Sequence, residues 1–260
     1  MKLSSKALAC GQSPMRKFHP YAVAAAAAGK KIYHLNIGQS DIHTPDALYD
    51  AIHNFRTPVL AYAASPGIPE LIGAIGRYYE NIGVQLDASD ILIDSVSKRF
   101  SACGARIGCL ISRNKDFMAN ALKYCQARLS VATLDQIAAA ALYSVGPEYF
   151  EQVRQEYKRR RDTVVRKLHE IPGVICECPR GAFYLMAALP VDDAEKFQLW
   201  LLQEFEDHGD TVMFSAGEPF YATPGKGLNE IRIAYVLKQE DLERAMDLLA
   251  IGIRKYNETH

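Results

Sequence analysis

An α/β fold is predicted by three features of this 260-residue chain. Short apolar or alternating runs of strand type recur at 31–38, 91–93, 107–111 and 229–237. Amphipathic stripes at helical spacing lie between them, most clearly at 68–79 and 147–171. Glycine and proline punctuate the junctions, at Gly29, Gly38, Pro69, Pro172-Gly173 and Gly209.

Taken in order, 13–30 contains an alanine-rich helix stopped by Gly29, and 31–38 a short strand stopped by Gly38. Thr44 is a plausible N-cap for a helix over 45–55. Pro69 suits a first helical turn, followed by the stripe Ile68, Leu71, Ile72, Ile75, Tyr78 and Tyr79. Helices are expected over 117–129, within 130–144, and from Pro147 to about Ile171. The last carries a basic cluster, 158–161, read as a solvated face because acidic residues surround it. Strands follow at 174–177 and 181–188, a helix at 194–208, a strand at 211–214, a loop at 215–227, a strand at 229–237 and a closing helix at 239–256.

Bulk properties exclude several classes of function. Apolar residues make up 49% of the chain, enough for a core, and its formal net charge is zero. Neutrality gives no electrostatic case for nucleic acid or an anionic membrane. No run approaches the roughly 18 apolar residues of a membrane helix, and 1–13 has lysines but no apolar centre of a secretory leader. The cysteines at 10, 103, 109, 125, 176 and 178 form no C-x-x-C pair and no zinc spacing, so no metal is expected. Reduced thiols in a cytoplasmic protein are the default reading.

The chain is organised around 94–108, D-S-V-S-K-R-F-S-A-C-G-A-R-I-G, between two apolar runs. Lys98 stands where the first strand ends, Ser95 and Ser97 flank it, and Arg106 follows eight residues later. A partly desolvated lysine can attack a carbonyl to form a Schiff base. Neighbouring hydroxyls can donate to phosphate oxygens, and a guanidinium can grip phosphate with two parallel hydrogen bonds. A lysine beside a phosphate cradle is what pyridoxal phosphate requires. Taken alone, Lys98 is equally readable as a surface lysine after a buried strand.

The full string resembles the S-x-S-K…G-x-R-x-G signature of class I pyridoxal-phosphate-dependent aminotransferases of the aspartate aminotransferase type. The resemblance implies that fold (fold type I), pyridoxal 5'-phosphate as cofactor, Lys98 as the Schiff-base lysine, and Ser95, Ser97 and Arg106 around the phosphate. Further segments are similar to family elements. L-N-I-G-Q-S-D at 35–41 puts the backbone at Gly38 against the substrate carboxylate. The segment from Tyr62 to Leu71 implies that Tyr62 reaches the partner subunit's cofactor phosphate, hence a homodimer. P-R-G-A-F-Y at 179–184 matches a family hairpin. I-R-I at 231–233 implies that Arg232 grips the substrate's α-carboxylate. An arginine between isoleucines on a strand needs a partner in any case, from the protein or from a substrate.

At 93/94 the resemblance breaks. The family's long central block, with its ring-stacking aromatic, N-P-x-N-P-T-G and D-x-x-Y segments, has no counterpart, and Ile93 runs directly into Asp94. The expected organisation is therefore a small α/β domain from 13–45 and 147–260, intact, enclosing a truncated large domain at 46–146. The implied function is amino-group transfer between an amino acid and a 2-oxo acid. The alternative is an internally deleted, non-catalytic remnant that binds phosphate or a partner. Helices evolved to cover the missing strands must pack on each other, pair with a second chain, or stay exposed. An open or association-prone 45–144 beside a well-protected 147–260 is the expectation.

Overall fold

The computed structural model describes residues 17–56, 63–95, 98–127 and 129–259, and of 92–95 the backbone. In chain order the elements are α1 His19–Ala27, β1 Lys31–His34, α2 Asp46–Asn54, α3 Pro69–Asn81, β2 Ile91–Ser95, β3 Gly108–Ile111, α4 Lys115–Ala127, α5 Thr133–Leu142 and α6 Pro147–His169. There follow β4 Ile175–Cys176, β5 Tyr184–Ala188, α7 Ala194–Gln203, β6 Asp210–Met213, β7 Ser215–Ala216, β8 Glu230–Ala234 and α8 Gln239–Thr259. The chain divides into two compact units: Met1–Gln39 with Arg154–His260, and Ser40–Val153.

The first unit is built on a four-stranded antiparallel sheet in the order β4-β5-β8-β7. A second pair, β1 with β6, is parallel, with Lys31 opposite Asp210 and His34 opposite Met213. Beyond β1 the chain bonds both ways: Leu35 N–H donates to Met213 O, and Ala234 N–H donates to Leu35 O. Alternation along β8 explains the packing, since Ile231 and Ile233 are fully buried among Leu185, Val212, Phe214, Leu242 and Leu249. α7 begins cleanly because the Asp193 carboxylate accepts from the backbone N–H groups of Glu195 and Lys196.

Two expectations in this unit need correction. The helix predicted over 194–208 ends at Gln203. Phe205, 2% exposed, is drawn into the core, and Asp207 and Asp210 bridge as Arg244 donates to both carboxylates at 2.9 Å. Nor is the basic cluster 158–161 wholly solvated. Arg160 is 4% exposed, donating from Nε to Glu156 at 2.8 Å and from Nη1 to the Val236 carbonyl.

The second unit has a core of its own. Leu71 and Ile75 of α3 and Ala139 and Leu142 of α5 are buried with Ile91, Phe100 and Ile107. The antiparallel ribbon of β2 and β3 lies against this cluster. Gln136, fully buried on α5, accepts from Ile68 N–H at 2.8 Å and donates to Val131 O at 2.9 Å, tying α3 to α5. The helices thus take the first of the three routes open to them and pack on each other, so the expectation of an open segment is corrected for these faces. Thr44 does not cap α2; its hydroxyl donates to Ser101 O at 2.8 Å, and Pro45 occupies the cap position.

Candidate active site

In the second unit the loop from β2 to β3 is fixed at two buried anchors, Phe100 and Ile107, each 1% exposed. Between Lys98 and Phe100 the Arg99 guanidinium lies 3.9 Å from the Tyr78 ring centroid and 4.6 Å from that of Phe150. This cation–π box holds the backbone next to the lysine. Ser101 and Arg106 both adopt left-handed backbone, φ 53° and 52°, which turns the loop sharply around the short helical turn Cys103–Ala105. Ser101 is also tied back through its hydroxyl to Ser40 at 3.2 Å.

On this frame Lys98 is exposed, with Nζ 3.6 Å from Cys103 Sγ. The partly desolvated pocket that the sequence reasoning supposes is not what surrounds it in this unit. Arg106 is exposed too and donates from Nη1 to Cys103 O at 3.0 Å. Lys98 and Arg106 thus reach the solvent from one loop, both touching Cys103. Of Ser95 the described part is its backbone, in β2 opposite Gly108. Ser97 and Tyr62 lie outside the described residues.

In the first unit Gly38 and Arg232 share a neighbour, Tyr184. A Cβ built at Gly38 would come 1.9 Å from Tyr184 Oη and 2.6 Å from Phe183, so only glycine fits there. Arg232, on β8 opposite Met186 and Ser215, places its guanidinium carbon 4.4 Å from the Tyr184 ring centroid and 4.7 Å from that of Phe220. Its Nη2 donates to Asn36 O at 3.3 Å. Burial pushes the Arg232 guanidinium below its usual range, and the Tyr184 hydroxyl partly opposes this. Arginine stays cationic at neutral pH, so this is a desolvated positive charge suited to an anion.

Asn36 was missed by the sequence reasoning. It is 3% exposed, and its side-chain Oδ1 has no hydrogen-bond donor among the described residues. A polar residue two positions before Gly38, at the end of a buried strand, was the available signal. Among the described residues, no group of three or more His, Cys, Asp or Glu side chains is placed to hold a metal ion. No helix there is long and apolar enough to cross a membrane.

A lysine and an arginine presented from one strand-to-strand loop, beside a separate α/β unit carrying a desolvated arginine, define the class: α/β, aspartate-aminotransferase-like. The fold agrees with solved structures. Alanine aminotransferase from Pyrococcus furiosus superposes with a TM-score of 0.84 at 17% identity, covering 98% of this chain and 100% of that one. Aspartate aminotransferase from Rhizobium meliloti gives 0.82 at 17% identity, covering 98% and 99%. The family model for aminotransferase class I and II matches residues 72–249, and the chain belongs to that family.

Among curated relatives, the aspartate aminotransferase of Musicola paradisiaca (strain Ech703) is 26% identical over 223 residues, 82% of this chain and 47% of that protein. The LL-diaminopimelate aminotransferase of Nitratidesulfovibrio vulgaris (strain Hildenborough) is 28% identical over 168 residues, 63% and 40%. The chain therefore spans less than half the length of these relatives, although the structural matches reach across nearly all of the neighbours' chains.

Proposed function

We propose that this chain is a pyridoxal-phosphate-dependent aminotransferase, moving an amino group between an amino acid and a 2-oxo acid, with Lys98 holding the cofactor. The observation that carries this is the shared loop of Lys98 and Arg106, anchored at Phe100 and Ile107, in a chain of this family. These residues fit a carbonyl and a phosphate. Arg106, steadied by the Cys103 carbonyl, presents the rest of its guanidinium fork for two parallel bonds to phosphate. Ser95 and Ser97 are the proposed hydroxyl donors, and Tyr62 of a second copy a further one.

When bound, the cofactor supplies an electron sink for the bond being broken at the substrate's Cα. Lys98 Nζ is first the nucleophile towards the cofactor's carbonyl. Freed by the incoming amine, it takes the Cα proton and returns it to the acceptor carbon. Arg232 takes the substrate's α-carboxylate in a bidentate grip, with the Gly38 backbone alongside. The flanking Tyr184 and Phe220 rings exclude water from that pair. A cytoplasmic homodimer completes the reading. Tyr49, Phe117 and Tyr124 of the second unit, the last 81% exposed, are apolar surface available to a second copy.

The internal gap at about 93/94 favours a second reading, the non-catalytic remnant. Its basis is the short share of the relatives' length together with structural coverage to both ends. Incubating the chain with the cofactor, an isotope-labelled amino acid and a 2-oxo acid separates the two. Labelled nitrogen in the product above the cofactor-only background, lost in Lys98→Ala, supports transfer. Background-level transfer by the wild-type chain supports the remnant.

A further inference from the structure

Along α6, Arg154, Lys158 and Arg161 stand at i, i+4 and i+7, the spacing that stacks side chains on one helix face. Arg180, on the connection from β4 to β5, joins them. The four line a cleft of about 410 Å³ in the first unit, and no carboxylate is in its lining. The remaining walls include the rings of Tyr157 and Tyr235. Arg154, Lys158 and Arg180 are exposed, so their charged heads are reachable from solvent.

The cleft has a fixed floor. The Tyr235 hydroxyl donates to Ala182 O at 2.9 Å, and Arg161 Nη1 donates to Pro179 O at 3.2 Å, which ties the connection back to the sheet and the helix. Tyr157 packs against Phe183 with ring centroids 5.7 Å apart. One carboxylate borders the group: Asp162 accepts from Lys158 at 2.8 Å and from Arg161 at 2.6 Å. Four cations less one carboxylate leaves an excess of three positive charges. The whole chain has a formal net charge of zero, so this excess is local rather than general basicity. Like charges one helical turn apart repel and oppose the helix, which an anion would relieve.

We propose that this cleft is an anion site for a small phosphate-bearing molecule, a phosphate monoester or diphosphate. Its volume is in the range of small-molecule sites rather than of a single ion. Arg154 and Arg180 bring planar forks that match phosphate oxygens two at a time, and Lys158 adds a point charge. A monocarboxylate would neutralise one charge of three, whereas a diphosphate matches the excess. The cleft shares no residue with the Lys98 loop or with Arg232, so ligand binding here is a property separate from amino-group transfer.

Calorimetric titration of the full chain with inorganic pyrophosphate tests this. The probe also suits the Arg106 cradle, so Arg106→Leu is titrated alongside. That variant should keep one saturable site, weakened by added salt. The double variant Arg154→Gln/Arg180→Gln, with unchanged Trp200 emission as a check on folding, should bind at the cleft about 10-fold or more weakly. Arg154→Lys/Arg180→Lys should restore part of the affinity, because charge returns without the fork. Should the double variant not fold, Arg180→Glu alone, on an exposed position, carries the same expectation. Saturable binding unchanged by these substitutions, or its absence from Arg106→Leu, overturns the proposal.

Discussion

Replacing Arg160 by methionine separates a buried charge from its exposed neighbours on the same helix. Arg160 is 4% exposed, whereas the Arg159 side chain is 58% exposed, yet both bond Glu156. Methionine keeps most of the apolar stem and removes the guanidinium. The Val236 carbonyl, in a residue 1% exposed, loses a charged donor, which costs about 1.5–3 kcal/mol. Glu156 is partly exposed and keeps Arg159, so the lost ion pair adds only about 0.5 kcal/mol. The expected total is about 2–3 kcal/mol, against about 0.5 kcal/mol or less for Arg159→Met. Trp200, the sole tryptophan, lies in the first unit, so its emission during urea unfolding reports that unit. A pH series adds a second reading. The hydrogen bond from Arg160 is the largest cause holding the Glu156 carboxyl below its usual value, with burial opposing it and Arg159 adding to it. A depressed folded pKa stabilises above the unfolded value, about 4.5, and that share is lost as pH falls below it. Arg160→Met should therefore flatten the acid limb of the stability curve. Equal midpoints for the two variants, or an unchanged acid limb, would refute the reasoning.

Leu142→Ala removes a fully buried side chain from the core of the second unit and should cost about 2–5 kcal/mol, read as faster amide exchange in α3 and α5. Unchanged exchange would mean that those helices are not stabilised by this core. In alkali, Tyr143, Tyr235 and Tyr256 are pushed up to about 12, chiefly by burial. A raised folded pKa stabilises below the unfolded value of about 10, and that share is lost as pH climbs from there towards 12. Tyrosinate absorbance should thus rise in two stages, the second coinciding with unfolding; a single stage near 10 with the fold intact would contradict it.

Local signals carried much of the fold. Pro69 at the first turn of α3, the isoleucines flanking Arg232 and the apolar runs around 94–108 all state their structure within a few residues. The misreadings came from long-range partners. Thr44 bonds Ser101, 57 residues away, instead of capping α2. Arg160 bonds a carbonyl 76 residues away, which charge patterning along one helix cannot reveal. Phe205 ends α7 early by turning into a core assembled from distant strands. At the site, sequence spacing identifies Lys98, Arg106, Gly38 and Arg232, but not the Arg99 box, whose rings come from α3 and α6. Nor does it reveal that Lys98 is exposed. Both depend on how the chain closes around the gap at 93/94.

Borohydride reduction of the chain with pyridoxal 5'-phosphate, followed by peptide mass analysis, tests the central claim most directly, since it reads attachment rather than turnover. One phosphopyridoxyl group should be fixed on the peptide bearing Lys98, with Arg106→Leu lowering its yield by about tenfold at limiting cofactor and Lys98→Ala abolishing it. Label spread over other exposed lysines such as Lys123 and Lys226, with none enriched at Lys98, would contradict the assignment of this loop as the cofactor's anchor.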